Sequence, residues 1–293
     1  MNLEDVAKLA GVSRSTVSRV VNDDPRVSPD VRARVLAVIA ETNYHPNAAA
    51  RSLASRRTRI IGLLIPQAMS EVFGDQWFPV MIQGCIDGCH EADFSLMLLM
   101  ESSTDPETVS RIIERTMRSR HLDGIVISSS LNDEILSARL REEGFPHITI
   151  GRDVASLQNF IDVNNREAAR MATEHLIGHG YRRIAMISGP DWMVAAEDRR
   201  LGFLDAISAA GIEPESVAVR HADYNEFKAY VAATELLSGP CPPEAIFAAS
   251  DAMARGVIRA AQTLNLRVPE DIAVMGFDGI QQDLIESHGL STV

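Results

Sequence analysis

The first 22 residues, MNLEDVAKLAGVSRSTVSRVVN, place the tightest constraint on the fold, because they predict two short helices separated by a sharp turn. In the first helix, apolar residues recur at helical spacing and two acids occupy the opening turn, where the helix dipole favours negative charge. Gly11 ends this helix, since glycine adopts the left-handed conformation of a helix stop at no steric cost. Ser13 is a typical N-cap for a second helix, which buries Val17, Val20 and Val21.

The outward face of the second helix carries hydroxyls and arginines and no acid. Such side chains suit the base edges and phosphates of a DNA major groove. We therefore expect a helix-turn-helix motif whose second helix reads DNA. The candidate contacts are Arg14, Ser15, Thr16, Ser18, Arg19 and Asn22.

A third predicted helix completes an all-α DNA-binding headpiece over residues 1–46, with Ser28 as its cap and Pro29 at its first position, where proline is tolerated. We expect a hinge and linker over residues 47–59. Its first eight residues favour a helix of only about two turns, and isolated helices shorter than roughly 12 residues are marginal in water. The segment is either a simple linker or a hinge helix that forms when two copies pair on DNA.

The charge is divided between the two ends of the chain, whose total is −12. Residues 1–59 hold ten Lys and Arg against six Asp and Glu, a net charge of +4, and the remainder carries −16. A basic head on an acidic body is expected of a protein whose one end contacts phosphate.

From Ile60 onwards, short apolar runs alternate with helical stretches, which is typical of a parallel sheet covered on both faces. The alternation restarts after residues 161–163, so we expect two doubly wound lobes, residues 60–161 and 162–293. Ligands bind such sheets beyond the carboxyl ends of the strands, which predicts a site in the cleft between the lobes. The predicted strands are 60–65, 95–99, 124–127, 147–150, 184–188, 217–219, 245–248 and 272–276. Helices are predicted near 78–92, 106–119, 133–142, 196–210, 225–238 and 252–264, and a further helix is predicted to follow residues 161–163 and run to about 178.

The sequence does not predict an enzyme, a cofactor or a metal site. Cys85 and Cys89, four apart on one predicted helix face, could hold a metal together with His90, but buried small apolar residues are the better interpretation. His175 and His179 lack the intervening glutamate of a zinc protease, and neither a phosphate-binding glycine loop nor a nucleophile elbow occurs.

The compartment follows from two absences in the sequence. No apolar run approaches the roughly 20 residues of a membrane span. The N-terminus has no charged and then apolar secretory signal, which predicts a cytoplasmic protein without a membrane partner.

The stretches DVAKLAGVSRSTVSRVVN and VSPDVRARVLAVIAETNYHPNAAARSLASRRTRIIGLLIP resemble the lactose-repressor family of bacterial transcription factors. The resemblance continues in IDVNNREAARMATEHLIGHGYRRIAMISGP, EDRRLGFLDAI, AIFAASDAMARGVIRA and DIAVMGFDG, and so covers nearly the whole chain. It implies a helix-turn-helix headpiece followed by a two-lobed effector domain similar to periplasmic sugar-binding proteins.

The resemblance also implies contacts from the hinge to DNA. In the family, paired hinge helices enter the minor groove, and the leucine of the matching A-R-S-L stretch wedges between base steps and kinks the duplex. The matching residues here give Asn47, Ala50, Arg51 and Leu53 as candidate contacts.

For the cleft, the resemblance implies two principal ligand contacts. Arg199 would hold ligand hydroxyls or carboxylates with its planar fork, and Asp278 would accept hydrogen bonds from sugar hydroxyls. Ser250 and Asp251 open a helix where the family presents a polar contact, and Tyr224 matches a position that often carries an aromatic ring. The alternative for each residue is a capping or surface role.

Three features depart from the family pattern. Residues 67–78, QAMSEVFGDQWF, are longer than the matching family stretch, and Trp77 within them either closes over the ligand or extends a dimer surface. Arg152 ends the fourth predicted strand and would favour an acidic sugar or another anionic effector, unless Asp153 neutralises it. The chain ends with Leu290–Val293, where family members continue, so we expect a fragment or a premature end.

These observations predict a homodimeric repressor that binds a pseudo-palindromic operator and is released from it by a sugar or sugar derivative. The alternative is a solute-binding protein of the same two-lobed fold, which the basic headpiece argues against. A sugar-modifying enzyme would require a base and nucleophile pair that the sequence does not supply.

Overall fold

The computed structural model describes residues 1–44, 57–67, 69–100, 106–119, 121–128, 140–152, 159–213, 217–280 and 289–293. The chain divides into two compact units, residues 1–59 and 60–293. None of the helices within the described ranges is both long enough and apolar enough to cross a membrane.

The first unit contains three helices, α1 (Leu3–Ala10), α2 (Arg14–Val21) and α3 (Pro29–Thr42). Asn2 begins α1 with a capping box, in which its side chain accepts from the backbone of Asp5 while the Asp5 carboxylate accepts from the backbone of Asn2. Gly11 ends α1 with φ of 63°, in the left-handed region that the sharp turn requires. The predicted two-helix motif is confirmed.

The core of this unit lies where the three helices meet. It is formed by the predicted apolar stripes, with Val6, Val17 and Val35 fully buried. Tyr44, which the helical periodicity did not identify, is also buried in this core just after α3. A core this small depends on each of its few large side chains.

The second unit begins with a five-stranded parallel sheet in the order β2-β1-β3-β4-β5. The four strands predicted for this lobe are present, since each is a short apolar run of the kind that a parallel sheet requires. Its elements are β1 (Ile60–Ile65), α4 (Met69–Gly74), α5 (Trp77–Glu91), β2 (Ser95–Met100), α6 (Pro106–Ser119), β3 (Gly124–Ser128), β4 (His147–Ile150) and β5 (Phe160–Ile161).

The second lobe repeats this arrangement with a parallel sheet in the order β10-β9-β8-β6-β7. Its strands β6, β8 and β9 are fully buried and form the largest hydrophobic core of the described chain. The elements are α7 (Asn165–Gly178), β6 (Ile184–Ser188), α8 (Val194–Ala209), β7 (Val217–His221), α9 (Glu226–Leu237), β8 (Ala245–Ala248), α10 (Asp251–Thr263), β9 (Ala273–Gly276) and β10 (Ser291–Thr292).

Three short elements were not predicted. The segment after β1 contains the helix α4, and the edge strands β5 and β10 each have two residues. Strands of two residues are too short to show a periodicity in the sequence. They form because they pair with an existing sheet, β5 with β4 and β10 with β9. The predicted helix near 133–142 lies mostly outside the described residues.

Helices α7 and α8 pack closely side by side, and Gly202 makes that approach possible. A Cβ atom at Gly202 would lie 2.0 Å from the backbone oxygen of Arg166 and 3.0 Å from the backbone nitrogen of Arg170. Any side chain here would push the two helices apart.

Gly202→Ala should therefore destabilise the second unit by roughly 1–3 kcal/mol, because overpacking outweighs the better helix propensity of alanine. Thermal unfolding followed by circular dichroism measures the change. Gly178→Ala is the matched control, since a Cβ there meets nothing within 4 Å. Equal melting temperatures for the two variants would contradict the close approach.

Candidate functional site

The exposed start of α2 is built around the hydroxyl of Ser13. Its Oγ accepts from the backbone of Thr16 at 3.2 Å and lies 2.8 Å from both Ser15 Oγ and Thr16 Oγ1. Ser13 therefore caps the helix, and the three hydroxyls lie together at its N-terminal end, where a recognition helix meets base edges.

The arginines of α2 are available to a partner. Arg14 is 72% exposed and lies 3.6 Å from Glu4, a surface ion pair of little energetic value. Arg19 is exposed in the last turn, while Ser18 and Asn22 share a long 3.5 Å hydrogen bond. The predicted hinge contacts Asn47, Ala50, Arg51 and Leu53 lie outside the described residues.

In the second unit, a cleft of about 1460 Å³ opens between the two lobes. Most of its lining residues follow the carboxyl ends of strands, where open parallel sheets bind ligands. Its polar and aromatic lining residues include Gln67, Asp75, Trp77, Phe78, Ser128, Asp162, Asn165, Trp192, Arg199, Asp223, Tyr224, Glu226, Phe227, Lys228, Ser250, Arg259 and Asp278.

Arg199, on α8, is the centre of the second-lobe wall and is only 8% exposed. Its Nε donates to Asn165 Oδ1 at 2.8 Å, and its Nη1 donates to the Ala249 carbonyl at 2.5 Å and to Asp278 Oδ1 at 3.4 Å. The guanidinium carbon lies 3.6 Å from the centroid of the Phe277 ring, a cation–π contact. The group is fixed before any ligand arrives.

Asp278 is held in a backbone conformation that residues other than glycine rarely adopt, with φ of 111°. Its amide donates to the Val293 carbonyl at 2.8 Å, which anchors the strained turn. Strain of this kind persists where the surrounding structure enforces it, and such positions cluster at functional sites.

Burial controls the charge of the carboxyls in the cleft. Desolvation raises the pKa of Asp278 to about 7, although the Arg199 guanidinium opposes the shift and Asp251 and Asp75 add to it. Burial also raises the pKa of Asp75, whose Oδ1 accepts from the backbone of Trp77 at 3.0 Å. Because burial removes water from these carboxyls, a ligand in the cleft could supply the hydrogen bonds that water no longer gives.

Tyr224 occupies the wall beside Arg199, with its ring centroid 5.7 Å from the guanidinium carbon. Asp223 and Tyr224 are consecutive left-handed residues, with φ of 49° and 57°. The ring fits because Gly189 has no side chain; a Cβ atom at that position would lie 2.5 Å from the ring. The Tyr224 hydroxyl is buried and has no hydrogen-bond partner among the residues that the structure describes, which is a costly arrangement for a polar atom.

Ser250 and Asp251 have different positions at the start of α10. Ser250 lines the cleft, and its Oγ caps α10 by accepting from the backbone of Met253 at 3.1 Å. Asp251 does not line the cleft, because its oxygens accept from Thr292 Oγ1 at 2.7 Å and from the backbone of Ile280 at 2.8 Å. It supports the turn that carries Asp278.

Arg152 does not line the cleft either, whereas Trp77 does. Arg152 Nη2 lies 2.5 Å from Asp198 Oδ2 on α8, so its charge is paired across the two lobes. Asp153, its expected partner, lies outside the described residues. The pair removes Arg152 as a second cation for an anionic effector.

Sequence reasoning missed several lining residues. Asn165 and Ser128 are polar and buried at the beginning of α7 and the end of β3, and a polar residue next to a buried strand was the available signal. Asp75, Trp192 and Phe227 lie in loops or helix starts whose direction the sequence pattern does not set.

The cysteines and histidines considered as metal ligands have other surroundings. Cys85 is partly buried and packs against the core of the first lobe. His175 and His179 have ring centroids 4.4 Å apart on the surface of the second lobe. Among the residues described, no group of three metal-binding side chains comes together.

Known protein families match both units of the chain. A family model described as bacterial regulatory proteins, lacI family, matches residues 2–47, and one described as a periplasmic binding protein-like domain matches residues 173–293. The transcriptional regulator CelR of Thermobifida fusca is 36% identical over 280 residues, which are 94% of this chain and 81% of CelR. The ribose operon repressor of Escherichia coli (strain K12) is 34% identical over 296 residues, covering 99% of this chain and 87% of that protein.

Solved structures give the same result. A lac repressor dimer bound to operator and the anti-inducer ONPF matches 96% of this chain and 83% of its own, with 28% identity and a TM-score of 0.82. A complex of CelR with cellobiose matches 95% of this chain and 83% of its own, with 34% identity and a TM-score of 0.69. These relatives are named as regulators, not as enzymes.

Asp278→Asn should alter the pH dependence of stability. The unfolded aspartate loses its proton near pH 4 and the folded one near pH 7, so ionisation makes the wild type progressively less stable between these values. Asparagine cannot ionise, so the variant should gain on the wild type as pH rises through this window, by a few kcal/mol at about 1.4 kcal/mol per pKa unit.

Melting temperatures measured from pH 5 to pH 8 test this. Asp271→Asn is the control, because Arg267 lowers the pKa of Asp271 to about 2 and its difference from the wild type should stay constant over that range. Parallel curves for Asp278→Asn and the wild type would contradict the raised pKa.

Proposed function

The chain belongs to the lacI family of bacterial regulatory proteins, and we propose that it is a homodimeric repressor whose affinity for its operator is controlled by a neutral sugar bound in the cleft. We assign residues 1–46 to the DNA-binding headpiece, 47–59 to the hinge, and 60–161 and 162–293 to the two lobes. Since operator DNA lies in the cytoplasm of a bacterium, the proposal places the protein there.

The assignment of DNA binding is supported by the outward face of α2. Arg14, Ser15 and Arg19 are exposed on it, and Thr16 and Ser18 are half-buried. No acid lies on that helix, and the residues up to 59 carry a net charge of +4. A symmetric dimer would present two such helices to two half-sites, so the operator is a pseudo-palindrome. Leu53 of each hinge would wedge into the minor groove between them.

The observation that carries the effector proposal is the unpartnered Tyr224 hydroxyl in a wall already organised by Arg199 and Asp278. A buried hydroxyl without a partner is explained by a ligand that supplies one. Sugar hydroxyls both donate and accept, so they suit the carboxyl of Asp278, the Tyr224 hydroxyl and the Ser250 hydroxyl together.

A neutral effector is favoured by the charges of the cleft. Five acids line it, namely Asp75, Asp162, Asp223, Glu226 and Asp278, against the three bases Arg199, Lys228 and Arg259. Two of the bases are engaged, Arg199 by Asp278 and Lys228 by Asp223. Because the acids outnumber the bases and Arg152 is paired with Asp198 outside the cleft, a neutral sugar is favoured over an acidic one.

Lobe movement would couple the cleft to DNA. The Arg152–Asp198 ion pair spans the two lobes, so a ligand that changes their spacing also changes this contact. An effector can shift operator affinity only by as much as it prefers one lobe arrangement, typically about 1–3 kcal/mol. We propose that sugar binding releases the operator.

Arg19→Ala should weaken binding to an operator selected from random DNA by about 5- to 100-fold, which corresponds to one lost base contact. Binding to random DNA should fall much less. Arg34→Ala, which removes the same charge from an exposed position on α3, is the control and should affect both DNAs alike. Fluorescence anisotropy at fixed salt measures both, and identical profiles for the two variants would refute the assignment of α2.

Tyr224→Phe should leave the stability of the free protein unchanged or higher, because the lost hydroxyl has no partner. Affinity for a neutral sugar found by thermal-shift screening should fall about three- to tenfold, the value of one hydrogen bond. Tyr181→Phe, before β6 at the opposite end of the sheet, should change neither. A sugar that binds Tyr224→Phe as tightly as the wild type would place the site elsewhere.

A further inference from the structure

Two carboxyls stand on opposite walls of the cleft. Asp75 lies between α4 and α5 in the first lobe, and Asp278 follows β9 in the second. Asp75 contributes to the raised pKa of Asp278, so the two groups interact across the cleft. The charge on one wall therefore depends on the charge on the other.

Each carboxyl is held in place by contacts within the structure. Asp75 is half-buried, and its Oδ1 accepts from the backbone of Trp77 at 3.0 Å. The Asp278 side chain is only 9% exposed, and the amide of this residue donates to the Val293 carbonyl at 2.8 Å. Because both groups are anchored, repulsion between them acts on the spacing of the walls.

One buried guanidinium serves both carboxyls. Arg199 opposes the rise in the pKa of Asp75 and in that of Asp278, and its contact with Asp278 is long, at 3.4 Å. Arg255 also acts on Asp75, but its Nε donates to Glu226 Oε2 at 3.2 Å. The positive charge near the two carboxyls is therefore shared and does not neutralise both.

Two further groups surround Asp278, one acidic and one neutral. Asp251, on α10, is buried and adds negative charge, and its oxygens accept from Thr292 Oγ1 and from the backbone of Ile280. Burial raises the pKa of the Tyr224 hydroxyl, so this group stays neutral. Among the groups described around Asp278, acids outnumber cations.

Two carboxyls placed in this way hold one proton more tightly than isolated carboxyls do, since the second ionisation places like charges on opposite walls. Burial acts in the same direction, because it raises the pKa of both Asp75 and Asp278. Loss of the retained proton makes the two walls repel each other.

We propose that Asp75 and Asp278 form a proton-operated switch between the lobes, in which a retained proton lets the two walls approach and its loss drives them apart. The switch acts in the free protein and requires no ligand. It adds the proton to the signals that the cleft receives.

A consequence for DNA binding rests on the proposed function. A sugar that contacts both walls draws them together and, as proposed above, releases the operator. Loss of the proton acts in the opposite direction, so operator affinity should rise with pH.

The two tryptophans of the chain allow the wall spacing to be measured, because Trp77 and Trp192 line the cleft from the first and the second lobe. Trp77→Phe leaves Trp192 as the single reporter. Quenching of its fluorescence by acrylamide, a neutral quencher, would be measured on the full chain from pH 5.5 to pH 8.5. The quenching constant should rise with pH as the cleft opens, with its midpoint near pH 7.

Three further variants in the Trp77→Phe background test which groups are responsible. Asp278→Asn should remove the rise, because the two walls can then no longer carry like charges. Asp75→Asn should lower the midpoint by about one pH unit and reduce the rise, since the opposing charge is gone. Asp87→Asn is the matched control and should leave the curve unchanged, because Asp87 is an exposed acid of the same lobe that does not line the cleft.

A quenching constant independent of pH, or the same curve for Asp75→Asn and Asp87→Asn, would overturn the switch. Operator affinity of the wild type, measured by fluorescence anisotropy at fixed salt, should be about three- to tenfold higher at pH 8 than at pH 6. For Asp278→Asn the two affinities should agree within about twofold. If the cleft opens with pH while operator affinity stays constant, the switch stands and the proposed coupling of the lobes to the operator fails.

Discussion

The guanidinium of Arg199 joins three parts of the second lobe that are far apart in sequence. It donates to Asn165 at the start of α7, to the carbonyl of Ala249 after β8, and to Asp278 after β9, and it lies against the ring of Phe277. A buried cation is stable only when its donors are satisfied, so these strand ends must take the positions that Arg199 requires. The shape of the cleft wall follows from this one group.

The charge state of the cleft depends on the same group. Burial favours the neutral form of Asp278 and raises its pKa to about 7, and the nearby guanidinium is the main group that opposes this shift. Asp251 and Asp75 add further negative charge to the neighbourhood. The wall therefore combines a buried guanidinium with carboxyl oxygens that can hydrogen-bond to the hydroxyl groups of a ligand.

The sequence allowed most of the fold to be predicted, because its signals are local. Gly11 and Ser13 stop and start helices through their own backbone chemistry, and buried parallel strands are continuous apolar runs. The family resemblance then gave Ser250 and Asp278 as cleft contacts, and both line the cleft. Asp251, also at a strand end, instead supports the Asp278 turn, since Thr292 and Ile280 occupy its oxygens.

What could not be predicted depends on contacts between distant segments. Arg152 was expected beside Asp153 or a ligand, but it pairs with Asp198, 46 residues away on the other lobe. Trp192 and Phe227 line the same cleft because the strands that precede them, β6 and β7, are neighbours in the sheet. No periodicity or motif within either segment shows which strand will be its neighbour in the sheet.

The central claim is that one cleft ligand and one operator bias the same lobe arrangement, and thermodynamic linkage tests it most directly. The affinity of a neutral sugar found by thermal-shift screening would be measured by titration with and without saturating operator selected from random DNA, and operator affinity with and without saturating sugar. The account predicts that each ligand weakens the other by the same factor, about 5- to 150-fold. A sugar that binds in the cleft with the same affinity in the presence and absence of operator would contradict it.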